Sequence, residues 1–364
     1  MSFLKNIFTK KEKLINSYAE FWAWFQINEK SFYNIVKSGQ NIEQGFFGKI
    51  SSKLAELKEG YYYLTGMYDD NTVELVLTAD GIVKNIVFVE ELIEVAPQID
   101  GWKFTALKQS SKIEDVKIIM DGFEFSSEYL YFYSNESQNY PDDIDICITH
   151  NDMTDENRQQ IINGTYIFLD NYLGELDFVN NIDDLQIITR NEVKKKLVPI
   201  AKLKNFLTWR QKEFIEKYDG VRYDTENDEY SMFEAELENG NMFLAVVNTN
   251  LLQWDGKSSH PWLSIMTLKY DGNKNNGMPE NTDYDLLGNI EDEIMLSLKD
   301  IDGNLNIGRQ TANNEREIFF ACKDFRKPSK VFYEIQRKYG DKLEIEFDIY
   351  KDKYWKRFER FKQY

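Results

Sequence analysis

The sequence predicts an α+β fold in two domains, each an antiparallel sheet with helices packed on one face, joined by a connecting helix. Three observations predict it. Runs that alternate apolar and polar residues recur in both halves beside runs with helical spacing, the order expected of sheets with segregated helices. The charge changes sign along the chain: residues 141–185 carry eleven Asp/Glu and one Arg, whereas 191–218 carry eight Lys/Arg and three Glu. Hydrophobic residues make up 42% of the 364 and aromatics 15%, enough for two cores and too much for a disordered chain. The domains are therefore placed at residues 1–190 and 219–364, with the connecting helix over 191–218.

From Ser17 to Leu57 the spacing is helical, with Phe21, Trp22, Trp24 and Phe25 crowding one stretch and Phe32, Ile35 and Val36 recurring after it. An aromatic stripe at this spacing reads as core. GYYYLTGMYD and TVELVLTADG predict a hairpin, and IVKNIVFV a further strand turned back at Asp80-Gly81, a tight-turn dipeptide. EELIEVAPQI predicts a helix closed by Pro97, WKFTALKQ a strand, and KIIMDGFEFS, EYLYFYSNES and DIDICITHND three more. Thr154 is the expected cap of a helix that stops at Gly174, and Phe178 to Thr189 the strand that completes the domain. In the connecting helix Leu203, Phe206, Leu207, Phe214, Ile215 and Tyr218 form the apolar stripe, leaving its lysines to face water or the acidic domains.

The second half repeats the logic. A hairpin is expected about Asn239-Gly240, a strand over PWLSIMTLKY, and a helix with Leu286, Leu287, Ile290, Ile294 and Leu298 on one stripe. LNIGRQTANNEREIFFACKD reads as a second hairpin and PSKVFYEIQRKYG as a helix with Pro328 in a permitted early position. LEIEFDIYKD is the last strand, followed by the basic-aromatic YWKRFERF.

A net charge of −18 repels nucleic acid and anionic lipid and suits a basic protein partner. Cys147 and Cys322 lie far apart in apolar runs and read as buried fillers of a reducing compartment. No apolar run approaches membrane-span length and the start has no secretory pattern, so a cytoplasmic location is expected. Residues 3–13 form a short basic amphipathic segment, expected to dock on its own protein or fray rather than touch a membrane.

Catalytic signatures are scarce. His150, two residues before Asp152, has no motif-framed nucleophile, and His260, fixed by Pro261, reads as a strand-entry residue that bonds or stacks locally. Two histidines and two scattered cysteines make no zinc site, and the acidic stretches beginning at Asp271 and Asp300 depart from the calcium-loop pattern, so neither metal nor cofactor is expected. Arg309 and Arg316 sit on one predicted hairpin, where they either catch an anion or pair with carboxylates. With Trp262, Tyr354 and Trp355 they make up the candidate binding surface.

The C-terminal half resembles the bacterial family known as domain of unknown function 695. The resemblance rests on His260-Pro261-Trp262-Leu263, the acidic helix Leu286 to Leu298, Gly308-Arg309-Gln310-Thr311, Arg316-Glu317-Ile318-Phe319-Phe320, Phe347-Asp348-Ile349-Tyr350 and Lys353-Tyr354-Trp355, over roughly residues 225–364. The N-terminal part looks like the region preceding that domain in longer relatives. There is also a distant likeness to the regulator of ribonuclease activity B, a small acidic α+β protein that inhibits an endoribonuclease by binding it. The resemblance implies a fold type and an inhibitory style, and no catalytic residue. The expected function is thus non-catalytic: binding or regulation of a basic protein partner through an acidic surface. The alternative is a hydrolase or small-ligand protein using an interdomain cleft lined by Asp/Glu, Tyr and Arg.

Overall fold

The computed structural model describes residues 14–362. The chain divides into two compact units, 1–108 and 109–364. Residues 109–218, expected in the N-terminal domain and its connector, thus share a unit with 219–364. The amphipathic segment 3–13 lies outside the described residues.

In the first unit the aromatic stripe is the core. Helix α1 (Tyr18–Ser38) is capped by Ser17, whose hydroxyl accepts from the Glu20 amide, and stops at Gly39 in the left-handed region (φ 67°). It buries Phe21, Trp22, Phe25 and Phe32; after α2 (Gly48–Leu57) the chain forms the expected antiparallel hairpin of β1 (Tyr62–Met67) and β2 (Val73–Thr78). The next expectation fails. Asp80 and Gly81 do turn the chain (φ 52° and 78°), but into helix α3 (Val83–Glu94), not a returning strand. Ile86, Val87, Phe88, Val89 and Leu92 are all buried, and an apolar run covered on every side carries no period to separate strand from helix. As a crossover, α3 makes β3 (Trp102–Ala106) parallel to β2, against the antiparallel sheet expected. Trp102 and Phe104 then pack edge-on against Phe25 at 4.9 and 5.3 Å.

The second unit contains three sheets, of two, four and six strands. KIIMDGFEFS, expected as one strand, is a small hairpin of β4 (Ile118–Met120) and β5 (Phe123–Phe125), turned at Asp121-Gly122. The four-stranded sheet adds β6 (Leu130–Asn135), β7 (Asp145–His150), β8 (Asp184–Ile187) and β9 (Val198–Pro199) in the order β8-β7-β6-β9. Helices α4 (Arg158–Leu173) and α5 (Glu175–Asn181) connect β7 to β8, so this pair too is parallel. Asn157, not Thr154, stands at the start of α4: its carboxamide accepts from the Thr154 amide at 2.8 Å and donates to the Asp152 carbonyl at 2.9 Å. The strand expected from Phe178 begins inside α5, and β8 is only four residues long. The connecting helix is likewise shorter than expected. Pro199 lacks a donor and holds Val198 extended, so residues 198–199 pair with β6 and helix α6 runs only over Leu203–Tyr218.

The six-stranded sheet holds β10 (Tyr230–Glu236), β11 (Met242–Asn248), β12 (Trp262–Lys269), β13 (Asn304–Ala312), β14 (Glu315–Cys322) and β15 (Glu344–Lys351). Its order is β10-β11-β13-β14-β12-β15 and every neighbouring pair is antiparallel, as expected for this half. The short α7 (Thr249–Gln253) leaves β11, while α8 (Asn281–Ser297) and α9 (Arg326–Tyr339) cover one face. Adjacent residues of β14 show the division: Phe320 meets Phe332 of α9, and Phe319 meets Phe358 on the opposite face. There Trp355, Phe358 and Phe361 of the C-terminal segment form the lid. Gly308 carries a bulge in β13 at φ 137°, where a Cβ would lie 2.1 Å from the Val246 carbonyl oxygen. Among the described residues no helix is long and apolar enough to cross a membrane.

Candidate functional site

The two histidines are structural. His150 is fully buried at the end of β7; its Nε2 lies 2.8 Å from the Glu124 carbonyl and its Nδ1 accepts from the Asp152 backbone amide. Because Nδ1 accepts, the ring proton is on Nε2, and Asp152 approaches through its main chain rather than as an orienting carboxylate. His260 is buried between Trp254 and Ser259. The Ser259 hydroxyl donates to the Gly256 carbonyl at 2.6 Å, so the 2.8 Å contact between Ser259 and His260 has Nδ1 as donor. Burial, with Lys323 and Arg222 nearby, pushes the His260 imidazole down to about 3. It is neutral at physiological pH and offers no proton relay. Cys322 is buried, which raises its thiol to about 12, far from nucleophilic use.

Of the five residues of the expected binding surface, the structure does not make a surface. Trp262, Arg316 and Trp355 are buried: Trp262 meets Phe325 edge-on, and the Trp355 indole donates to the His260 carbonyl at 3.0 Å. Their apolar area was assigned to a partner; it fills the chain's own core instead. Arg309 and Arg316 do come together, but around Glu291 of α8, at 2.7 and 3.8 Å from its two oxygens. Arg316 further donates to Thr311 and lies over the Tyr284 ring, which leaves no anion site between them. Tyr354 is half-buried and occupied with Asp142.

That contact belongs to a buried charge network that the sequence reading missed. Asp183, just before β8, bridges Lys351 at 2.8 Å and Lys353 at 2.6 Å, and accepts from the Ile144 amide at 2.7 Å. Burial alone would raise the Asp183 carboxyl, but the two ammonium groups outweigh it and hold it below the usual carboxylate range. Lys351 is pushed down to about 8 by its own burial, against the pull of Asp183. Lys353 also donates to the Asp142 carbonyl and lies 4.5 Å from the centre of the Phe214 ring. Asp142 in turn takes Lys217, Tyr218 and Tyr354 on its carboxylate at 2.7 to 2.9 Å. Carboxylates do converge here, at the junction of 109–218 with the six-stranded sheet, but every one of these oxygens faces a cation, hydroxyl or amide.

Three cavities lie elsewhere. One of about 520 Å³ is lined by Tyr223, Gln253, Trp254 and Phe361, and another of about 780 Å³ by Arg222, Thr225, Met295 and Asp300. A third, of about 870 Å³ in the first unit, is lined by Glu29, Tyr33 and Asp100. None is lined by Asp142, Asp183, Arg309 or Arg316, and none holds a histidine or cysteine. Asp300 is already bonded to the amide and hydroxyl of Thr225 at 2.7 and 2.6 Å. Among the described residues no three His, Cys, Asp or Glu side chains gather as a metal centre requires.

Residues 224–238 lie outside this closed network. They carry seven carboxylates and no base. Asp228 is bonded to Tyr223 and Asn248, whereas Glu229, Glu234, Glu236 and Glu238 are exposed and, among the described residues, unpaired. The signal was present in the sequence as a run of acid without compensating Lys or Arg.

Residues 228–361 match a family of unknown function, DUF695. The DUF695 match takes in the whole six-stranded sheet and leaves the first unit and the four-stranded sheet unmatched. No curated protein and no solved structure matches the chain. The likeness to the regulator of ribonuclease activity B is not shown by these comparisons.

Proposed function

We propose that the protein is a non-catalytic binding or regulatory protein of the bacterial cytoplasm, and that it engages a basic protein partner through an acidic surface. One observation carries the reading: the histidines, Cys322 and the converging carboxylates Asp142 and Asp183 are closed within the fold, while Glu229, Glu234, Glu236 and Glu238 stand exposed without cations. A surface of this kind attracts Lys- and Arg-rich proteins, repels nucleic acid, and acts over the Debye length of about 8 Å at physiological salt. The rival hydrolase reading needs a cleft with free carboxylates, and the junction where carboxylates converge is occupied by lysines and tyrosines.

The test uses the immobilised full chain and a bacterial lysate, beside a variant carrying Glu229→Gln, Glu234→Gln, Glu236→Gln and Glu238→Gln. The expected result is retention of basic proteins at low salt, their release as ionic strength rises past about 0.15 M, and their loss from the variant. Retention indifferent to both salt and the substitutions overturns the proposal, as does no retention at all.

A further inference from the structure

The geometry points to β10 as a docking edge: a partner's extended basic segment adds to the six-stranded sheet there as a seventh, antiparallel strand. This names the site and the partner's chemistry for the acidic-surface reading and rests on it. β10 has β11 on one side only. The amide of Leu237 donates to the Asn241 carbonyl and the Glu229 carbonyl accepts from the Thr249 amide, so odd-numbered residues of β10 bond inward. By strand alternation Tyr230, Met232, Glu234 and Glu236 turn their N–H and C=O groups to the open side. Among the described residues, nothing pairs with those groups.

The side chains on that edge are not those of a protected strand. Natural edges are blunted by lysines, proline, bulges or a covering element. β10 has seven residues, no lysine, no proline and no bulge. Across the sheet, one row runs Phe347, Met266, Ile318, Arg309, Val246, Met232. Met266 and Ile318 are 0% exposed, but Met232, on the outermost strand, is 63% exposed. Tyr230 and, on β11, Met242 extend the apolar ledge at 42% and 38% exposure. Beside this ledge Glu234 and Glu236 occupy the same face, one residue apart in the pleat.

The pattern selects its occupant. A second copy of β10 would bring its own Glu234 and Glu236 against this acidic, base-free edge, so self-pairing is disfavoured. A strand whose one face carries two bases followed by two apolar side chains meets Glu236, Glu234, Met232 and Tyr230 in turn. Main-chain bonds supply affinity and these four positions supply choice, the division of labour in strand addition.

The probe is a labelled heptapeptide, Lys-Thr-Arg-Val-Ile-Thr-Val, followed by fluorescence anisotropy on the full chain. Met232→Pro removes an outward N–H and leaves the β11 ladder intact; Glu234→Lys with Glu236→Lys reverses the charge. Wild type is expected to bind, with at least a tenfold loss in each variant and a switch of the charge-reversed chain to the peptide carrying Glu for Lys and Arg. On wild type, hydrogen exchange at Tyr230, Met232, Glu234 and Glu236 should slow at saturating peptide. If Met232→Pro binds like wild type, or those amides stay unprotected, strand addition is overturned. Binding lost only on charge reversal overturns it while leaving the acidic-surface reading intact. If wild type binds neither the peptide nor basic lysate proteins, both fall.

Discussion

The two edges of the six-stranded sheet are finished in opposite ways. At β15 the Gln336 carboxamide of α9 donates to the Ile345 carbonyl, and Lys351 reaches Asn180 and Asp183. Every device there consumes polar groups inside the unit. At β10 the main chain faces outward, the methionine beside it is exposed, and the charges are of one sign. Both edges are built from strands of ordinary length with alternating side chains, so strand character does not separate them. What separates them is whether the neighbouring chain brings complementary charge. Around β15 lysines meet carboxylates and the edge is sealed; around β10 no base accompanies the acid, and the edge stays available.

The largest effect should come from breaking the sealed side. Asp183→Ala leaves Lys351 and Lys353 facing each other in a buried site without their common counter-charge. Removing one partner of a buried ion pair costs about 3–5 kcal/mol, to be read as a lower free energy of unfolding in urea. Adding Lys353→Met to Asp183→Ala should restore part of that loss, since an apolar side chain needs no partner and lies on the Phe214 ring. A double variant no better than the single one would show that the network matters for its shape and not its charge.

Next comes the acid limb of stability. His260 stands at the head of β12, with its carbonyl bonded to Trp355, and its imidazole is held at about 3 against an ordinary 6.5. Between those values the unfolded chain binds a proton that the folded chain refuses. The contribution is therefore complete above pH 6.5 and is lost as pH falls toward 3, at about 1.4 kcal/mol per unit. Urea unfolding at pH 6.5 and at about 4.5 should differ by about 2–3 kcal/mol more in wild type than in His260→Asn. Equal slopes in the two proteins would place the acid sensitivity in the carboxylates.

Legibility in the sequence followed the same divide. Elements with one wet face were readable, because β10 and β15 alternate and α8 carries its stripe at helical spacing. The IVFV run of α3 is apolar throughout and was read as a strand, which also hid the parallel pairing of β2 with β3. The candidate site failed for a related reason. Trp262, Trp355 and Arg316 have the composition of a recognition surface, but aromatic rings and guanidinium groups serve a core equally well once Phe325, the His260 carbonyl or Glu291 is in place. Lys353 and Asp183 are 170 residues apart, and no spacing rule links them. The acidic run 224–238 needed only a count of charges, and its location on an open edge needed the strand order.

The smallest predicted difference tests the phase of that edge. Proline has no N–H, so its cost in β10 depends on which way the replaced amide points. Ser231 bonds inward to Val247, and Ser231→Pro should cost about 1–3 kcal/mol by leaving an acceptor of the ladder unmet. Met232 points outward, and Met232→Pro should cost about 1 kcal/mol or less, the residue of imposing proline's φ on an extended strand. Thermal melts of the two variants against wild type measure the contrast. The ordering matters more than either value. If the Met232 variant proves the less stable, the outward face of β10 is already engaged within the folded chain, and the asymmetry between the two edges disappears with it.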